Sequence, residues 1–199
     1  MTRFYRFFHL VFYPILWLLF PFTFHGRENV PKDRPVVFCA NHAHAMDPFL
    51  LALGLPRTMP IRFMAKKELM DAPLLGWFLG KLGAYSVDRG HSDAKALRTS
   101  IESLRDGVSL LVFPEGTRVK HEGDERAKRG AVVIAMRTGV PMLPVYVGTP
   151  RKLFRMTHVV FGEPFEARGE ARRATPEEYQ GYADEIMRRA YALGREWEK

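Results

Sequence analysis

The sequence is poor in cysteine and has fewer acidic than basic residues, and it has no internal repeat or low-complexity linker. Cys39 is the single cysteine in 199 residues, which excludes an intramolecular disulfide framework and a cysteine-built zinc site. A mean hydropathy of -0.18 excludes a membrane protein with several apolar spans. Aromatic residues make up 13% of the chain, so it can bury a core, and a disordered protein is also excluded.

Basic residues outnumber acidic ones. Lys and Arg total 30 against 22 Asp and Glu, which gives a formal net charge of +8. This balance indicates an anionic partner, namely nucleic acid, anionic lipid or a phosphorylated substrate. Long runs of like charge, which are typical of nucleic-acid-binding arms, are absent. The length suits one globular domain.

The N-terminal segment predicts contact with a membrane. Arg3 and Arg6 are followed by 18 residues, 7–24, that carry no formal charge. That length is slightly below the roughly 20 residues that a bilayer core requires, and Pro14 and Pro21 would each remove a helical hydrogen bond. Aromatic side chains favour the headgroup region, and arginine favours anionic lipid. We therefore predict a kinked helical anchor at the membrane interface over residues 1–28, in preference to a true span or an ordinary core helix.

Short apolar stretches alternate with segments of helical periodicity after residue 28. This alternation predicts one α/β domain over residues 29–199, with a mixed sheet flanked by helices. Two polar loops, residues 41–47 and 113–118, each follow an apolar stretch that is typical of a buried strand. If the two strands run parallel, both loops lie at the same edge of the sheet, where open α/β sheets build their ligand sites.

The side chains of these loops suit acyl transfer. Histidine titrates near neutral pH, so His42 can take a proton from an alcohol. A carboxylate behind the imidazole can fix its tautomer and stabilise the imidazolium. No Gly-x-Ser-x-Gly elbow is present, so the nucleophile can be the hydroxyl group of the substrate. Asp47 has a second interpretation, because an aspartate before a proline is also typical of a helix N-cap.

Five motifs along residues 35 to 150 resemble, in the same order, those of the glycerolipid acyltransferases, specifically the 1-acylglycerol-3-phosphate acyltransferases. The motifs are Asn41-His42-x-x-x-x-Asp47, Lys66-x-x-Leu69-x-x-x-Pro73-x-x-Gly76, Gly83-Ala84-Tyr85-Ser86-Val87-Asp88-Arg89, Phe113-Pro114-Glu115-Gly116-Thr117-Arg118 and Val140-Pro141-Met142-Leu143-Pro144-Val145. One such motif is weak support on its own, but five in register are specific.

The resemblance implies a role for each matched residue. His42 would be the general base, and Asp47 would orient it. Glu115 and Gly116 would lie against the glycerol portion of the acceptor. Arginine suits phosphate because its guanidinium group binds it in a fork. The resemblance would place the acceptor phosphate at Arg89 and Arg118, with Lys66 and Lys128 as weaker phosphate ligands. It also includes Thr117 in the substrate-binding set and would put Pro144 on the acyl-donor side.

The resemblance also implies the partners. The donor would be a fatty-acyl thioester of coenzyme A or acyl carrier protein, and the acceptor would be lysophosphatidic acid or another lysolipid such as a lyso-ornithine lipid. Neither a metal nor another cofactor is implied, and no nucleic acid. The protein would lie at the cytoplasmic face of the cell membrane, either peripherally or through its single N-terminal anchor.

One departure from the family pattern leaves alternatives open. Many members carry a serine two residues after the motif histidine, where this chain has His44, so a second imidazole is expected near the site. His42-Ala43-His44 also resembles the His-x-His motif of metallohydrolases, although Asp47 stands one residue off the spacing that the motif requires. A basic protein that binds nucleic acid or membrane without catalysis is the other alternative.

Overall fold

The computed structural model describes residues 2–88, 93–149, 153–168 and 174–197. Within these ranges the helices are α1 (Thr2–Leu19), α2 (Asp47–Gly54), α3 (Lys67–Asp71), α4 (Pro73–Lys81), α5 (Ala94–Arg105), α6 (Gly130–Thr138) and α7 (Pro176–Trp197), with a 3-10 turn at Arg27–Asn29. The strands are β1 (Phe22–His25), β2 (Val37–Ala40), β3 (Ile61–Lys66), β4 (Ala84–Val87), β5 (Ser109–Val112), β6 (Met142–Val147) and β7 (Thr157–Phe161).

The strands form one mixed sheet in the order β1-β7-β6-β2-β5-β3-β4. β6, β2, β5, β3 and β4 are parallel to one another. β7 runs antiparallel to β6, and β1 is parallel to β7. The predicted α/β domain with a mixed sheet is therefore confirmed.

Helices cover both faces of the sheet because its central strands are apolar on both sides. Phe38 of β2 belongs to a core cluster with Tyr5 of α1 and Leu50 of α2. The neighbouring Val37 belongs to a second cluster that contains residues of α5, α6 and α7, such as Ile186. Successive strand residues point to opposite faces, so the two clusters form two layers with the sheet between them.

The N-terminal segment differs from the prediction in where it ends. α1 is continuous through Pro14, but β1 follows it and pairs in parallel with β7. Phe22 is buried in the core, which explains why a strand forms inside the aromatic-rich run. Residues 22–25, predicted as part of an anchor over 1–28, therefore belong to the sheet. Among the described helices, none combines the length and apolar character needed to cross a bilayer.

Two helices begin in different ways. Thr175 and Glu178 exchange side-chain to backbone hydrogen bonds ahead of α7, which form a capping box. α2 has Met46 as its N-cap, and Asp47 is already its first helical residue. The N-cap interpretation of Asp47 is therefore wrong, and its carboxylate turns back towards the preceding loop.

Candidate active site

The two polar loops meet at one edge of the sheet. β2 and β5 are adjacent and parallel, with Cys39 opposite Val112. The loops that follow them therefore leave the sheet side by side. Two hydrogen bonds that involve the backbone of His42 join the loops. Val119 N–H donates to the His42 carbonyl oxygen at 2.8 Å, and His42 N–H donates to Glu115 Oε2 at 2.8 Å.

His42 and Asp47 form a buried pair. The His42 Nδ1 atom lies 2.9 Å from Asp47 Oδ2, and the Asp47 side chain is fully buried. The same oxygen accepts the N–H groups of Ala43 and His44, each at 2.9 Å. Because a carboxylate only accepts, the proton lies on Nδ1, and the other ring nitrogen, Nε2, is left to act as a base.

The imidazole plane is fixed by packing as well as by the carboxylate. The Phe113 ring stacks on the His42 ring at 4.1 Å between centroids, with 24° between the planes. The His42 side chain keeps 12% of its surface exposed, so a substrate can reach it. The Nδ1 edge of the ring is thus held by Asp47 and its plane by Phe113, while part of the ring surface stays accessible.

Glu115 lies inside the protein with each carboxylate oxygen engaged. It is 3% exposed, Oε2 accepts His42 N–H, and Oε1 accepts the Tyr191 hydroxyl from α7. Burial raises the pKa of Glu115, while the bonds from Tyr191 and His42 N–H and the nearby His42 ring lower it, and the Asp47 charge raises it. The carboxylate therefore anchors the backbone of the histidine loop. The implied contact between Glu115 and glycerol stays a prediction.

Asn41 fastens the start of the same loop to the neighbouring strand. Its amide nitrogen donates to the Val147 carbonyl oxygen at 3.0 Å, and its amide oxygen accepts Val147 N–H at 2.7 Å. The asparagine thus continues the pairing of β2 with β6 beyond the last strand residue. His42 begins its loop from a rigid point.

Gly116 makes the tight turn that follows β5. Its φ of +72° is a left-handed conformation that favours glycine. A Cβ at this position would lie 2.6 Å from Lys128 Nζ, so the absent side chain lets the lysine lie against the turn. Lys128 N–H also donates to the Pro114 carbonyl oxygen at 2.8 Å. Lys128 therefore contacts the turn through both its side chain and its backbone.

An apolar cavity of about 440 Å³ borders the site. Phe113 and Gly116 form part of its wall, and Asp88, Asp93 and Lys128 are its charged members. The apolar part of the lining comes from Met64, Val87, Ala96, Leu97, Leu111, Val112, Pro114, Ala131, Val133 and Ile134. A cavity of this size and character can bury a hydrocarbon chain against Phe113, whose ring stacks on that of His42.

The chain is similar to known proteins. A model of the Acyltransferase family matches residues 21–148. The chain belongs to the acyltransferase family. The 1-acyl-sn-glycerol-3-phosphate acyltransferase of Bacillus subtilis (strain 168) is 34% identical over 145 residues, which cover 70% of this chain and 71% of that protein.

Two further comparisons extend the relationship. The solved structure of the 1-acyl-sn-glycerophosphate (LPA) acyltransferase PlsC from Thermotoga maritima superposes with a TM-score of 0.72 and 30% identity, covering 97% of this acyltransferase and 79% of that chain. A chloroplastic 1-acyl-sn-glycerol-3-phosphate acyltransferase of Brassica napus is 35% identical over 124 residues. That match covers 60% of this acyltransferase but only 35% of the plant protein.

The remaining predicted site residues lie in different elements of the fold. Thr117 and Arg118 are exposed and directly follow the Gly116 turn. Lys66, at the end of β3, is exposed and pairs with Glu68 at 3.9 Å. Pro144 is buried within β6, opposite Cys39 of β2. Arg89 lies outside the described residues.

Two features of the site were not predicted from the sequence. Tyr191, in α7, has no motif around it that indicates a partner, and the hydrophobic periodicity of α7 predicts only which face packs on the sheet. Phe113 was matched as part of a motif, but its stacking on His42 requires the sheet register. Within the described ranges no group of three or more His, Cys, Asp or Glu side chains is placed to hold a metal ion.

Proposed function

We propose that this acyltransferase moves a fatty-acyl group from a thioester of coenzyme A or acyl carrier protein to the sn-2 hydroxyl of 1-acylglycerol-3-phosphate, giving phosphatidic acid. The observation that carries the proposal is the His42–Asp47 pair, which leaves a ring nitrogen directed away from its carboxylate partner. The names of the relatives support the choice of acceptor.

The chemistry needs only groups that the site supplies and the two substrates. His42 Nε2 takes the proton of the acceptor hydroxyl while its oxygen attacks the thioester carbonyl carbon. The tetrahedral intermediate collapses, the carbon–sulfur bond breaks, and the thiolate takes the proton back from the imidazolium. Asp47 stabilises that imidazolium through Nδ1. An ester and a free thiol are formed, and the enzyme returns to its starting state.

The acceptor phosphate is assigned to the cations that flank the Gly116 turn. Arg118 is exposed beside the turn, and Lys128 lies against Gly116. Guanidinium and ammonium groups bind phosphate through charge-assisted hydrogen bonds. We keep Lys66 and Arg89 as further phosphate ligands and Pro144 as a residue of the acyl-donor side, as the family resemblance implies. Another lysolipid, such as a lyso-ornithine lipid, is the alternative acceptor.

Arg118→Ala tests the assignment of the acceptor phosphate to this arginine. We expect the variant to raise the KM for lysophosphatidic acid by about tenfold with kcat little changed, because a phosphate contact that is equal in the ground and transition states affects binding alone. Thiol release from acyl-CoA at varied acceptor concentration measures both constants. The matched control is Arg137→Ala, an exposed arginine in the last turn of α6. A KM for lysophosphatidic acid in Arg118→Ala equal to that in Arg137→Ala would contradict the phosphate assignment. Faster turnover of lyso-ornithine lipid than of lysophosphatidic acid by the wild type would favour the alternative acceptor.

We also propose that the outer face of α1 rests on the cytoplasmic face of the cell membrane. Its exposed side chains include Leu10, Trp17 and Leu18, with Arg3 and Arg6 near its N-terminus. The rings of Phe4 of α1 and the exposed Trp77 of α4 pack edge to face, with 5.7 Å between their centroids. Such a surface combines apolar area with cations that attract anionic lipid.

Vesicle flotation tests this surface. We expect the wild type to float with vesicles that contain phosphatidylglycerol, and the Leu10→Glu/Leu18→Glu variant to stay in the dense fraction, because it places two carboxylates at the apolar face. The control Ala94→Glu/Gly181→Glu adds the same charge on α5 and α7, which pack on the opposite face of the sheet. Equal flotation of the two variants would contradict the proposed surface.

A further inference from the structure

α7 contributes a side chain to the candidate active site from outside the region that the family model matches. Tyr191 is separated by 76 residues from Glu115, the group that accepts its hydroxyl hydrogen. It also lies beyond residue 148, where the family match ends. The five sequence motifs therefore say nothing about it.

α7 is held in place closely enough to position this hydroxyl. Ala183, Ile186, Met187, Ala190 and Gly194 form its buried stripe, at the spacing of one helix face. At Gly194 an added Cβ would lie 2.5 Å from the ring of Tyr146 in β6. The helix backbone thus packs directly on the sheet one turn after Tyr191, which fixes where the phenol group points.

Tyr191, Glu115 and His42 form a chain of hydrogen bonds. The phenol donates to Glu115 Oε1, and Glu115 Oε2 accepts the backbone N–H of His42 at 2.8 Å. The other carboxylate of the site, Asp47, binds the imidazole itself. Asp47 therefore fixes the ring of His42, and Glu115 fixes its backbone. The position of Glu115 depends in turn on Tyr191 of α7.

We propose that Tyr191 is a positioning residue, which acts through Glu115 to hold the backbone of His42 and so makes α7 part of the catalytic apparatus. The inference rests on the proposed function, since it assigns the consequence to acyl transfer. Without the phenol group, the buried Glu115 carboxylate loses one of the two donors that the described residues supply. It can then rotate, and the base moves relative to the acceptor hydroxyl.

The groups around Glu115 determine how its ionisation responds to the loss. Within the described residues these are the His42 ring and backbone, the Asp47 carboxylate and Tyr191, while Glu122 and Tyr146 face the Tyr191 phenol. The Tyr191 bond lowers the pKa of Glu115 against the effect of burial. Its removal raises that pKa further, so Glu115 becomes protonated at a higher pH than in the wild type.

The experiment compares Tyr191→Phe with Tyr182→Phe. The control removes a phenol from the same helix, where it donates to the Arg168 carbonyl oxygen at 3.0 Å. For Tyr191→Phe we expect kcat to fall about tenfold with the KM for lysophosphatidic acid within about twofold. The acid limb of the pH profile should move to higher pH. In a Glu115→Ala background, which has no acceptor at this position, Tyr191→Phe should cause little further loss, because the phenol acts through the carboxylate.

A second measurement needs no turnover. In protein labelled with ¹³C-histidine, the ring resonance that is absent from His42→Ala identifies His42. Tyr191→Phe should shift this resonance and Tyr182→Phe should leave it in place. An unshifted resonance, a kcat equal to that of Tyr182→Phe, or an undiminished loss in the Glu115→Ala background would overturn the inference. If the wild type transferred no acyl group while the resonance shifted as expected, the proposed function would fail and the positioning role would stand.

Discussion

His42→Ala is expected to abolish acyl transfer, whereas His44→Ala should only reduce it. A positioned general base contributes roughly 100- to 10,000-fold to a rate. His42 alone has Nδ1 on the buried Asp47 carboxylate. His44 is exposed, and its Nδ1 accepts the backbone N–H of Met46 at 3.2 Å. The two imidazoles are therefore not equivalent, although they stand two residues apart.

Initial rates of thiol release from acyl-CoA with lysophosphatidic acid measure the difference. We expect a loss of at least about 1,000-fold for His42→Ala and of about fivefold or less for His44→Ala. Far-UV circular dichroism and the melting temperature control for folding. An inactive, folded His44→Ala variant beside an active His42→Ala variant would show that the base has been assigned to the wrong residue.

Asp47→Asn should lower kcat on the order of 1,000-fold while leaving the fold intact. The amide is nearly isosteric with the carboxylate and its oxygen can still accept the loop N–H groups, but it carries no charge to stabilise the imidazolium. Asp47 is fully buried, so solvent cannot replace the lost charge.

The kcat of Asp47→Asn at saturating substrates is compared with that of Asp71→Asn. Asp71 is an exposed residue at the end of α3, so its amide variant should match the wild type. A kcat for Asp47→Asn within about fivefold of the wild type would mean that the carboxylate serves only to shape the loop.

The sequence predicted the meeting of the two loops because the information is local. Each loop directly follows an apolar strand, and adjacent parallel strands place their carboxyl ends at one edge. Local sequence also indicates the boundaries of β4 at Ala84–Val87, β6 at Met142–Val147 and α6 at Gly130–Thr138. Their ends coincide with glycine, proline or charged residues, which stop regular structure.

The features that the sequence did not predict depend on distant partners. β1 is an edge strand inside an aromatic-rich run, and only its pairing with β7 distinguishes it from the preceding helix. The bond between Tyr191 and Glu115 joins residues 76 positions apart. Local pattern predicts that α7 is amphipathic, but not which turn of the helix lies over the end of β5. The second interpretation of Asp47, as a helix cap, rests on the usual role of aspartate before proline, whereas in the structure two N–H groups of the preceding loop donate to its carboxylate.

The central claim is that acyl transfer couples a thioester to the hydroxyl of lysophosphatidic acid. The most direct test measures free thiol and phosphatidic acid in the same reaction, with purified wild-type protein, acyl-CoA and lysophosphatidic acid. We predict one thiol released for each phosphatidic acid formed, with neither product when either substrate is omitted. Thiol release that is independent of the acceptor, or that proceeds without formation of phosphatidic acid, would contradict the claim.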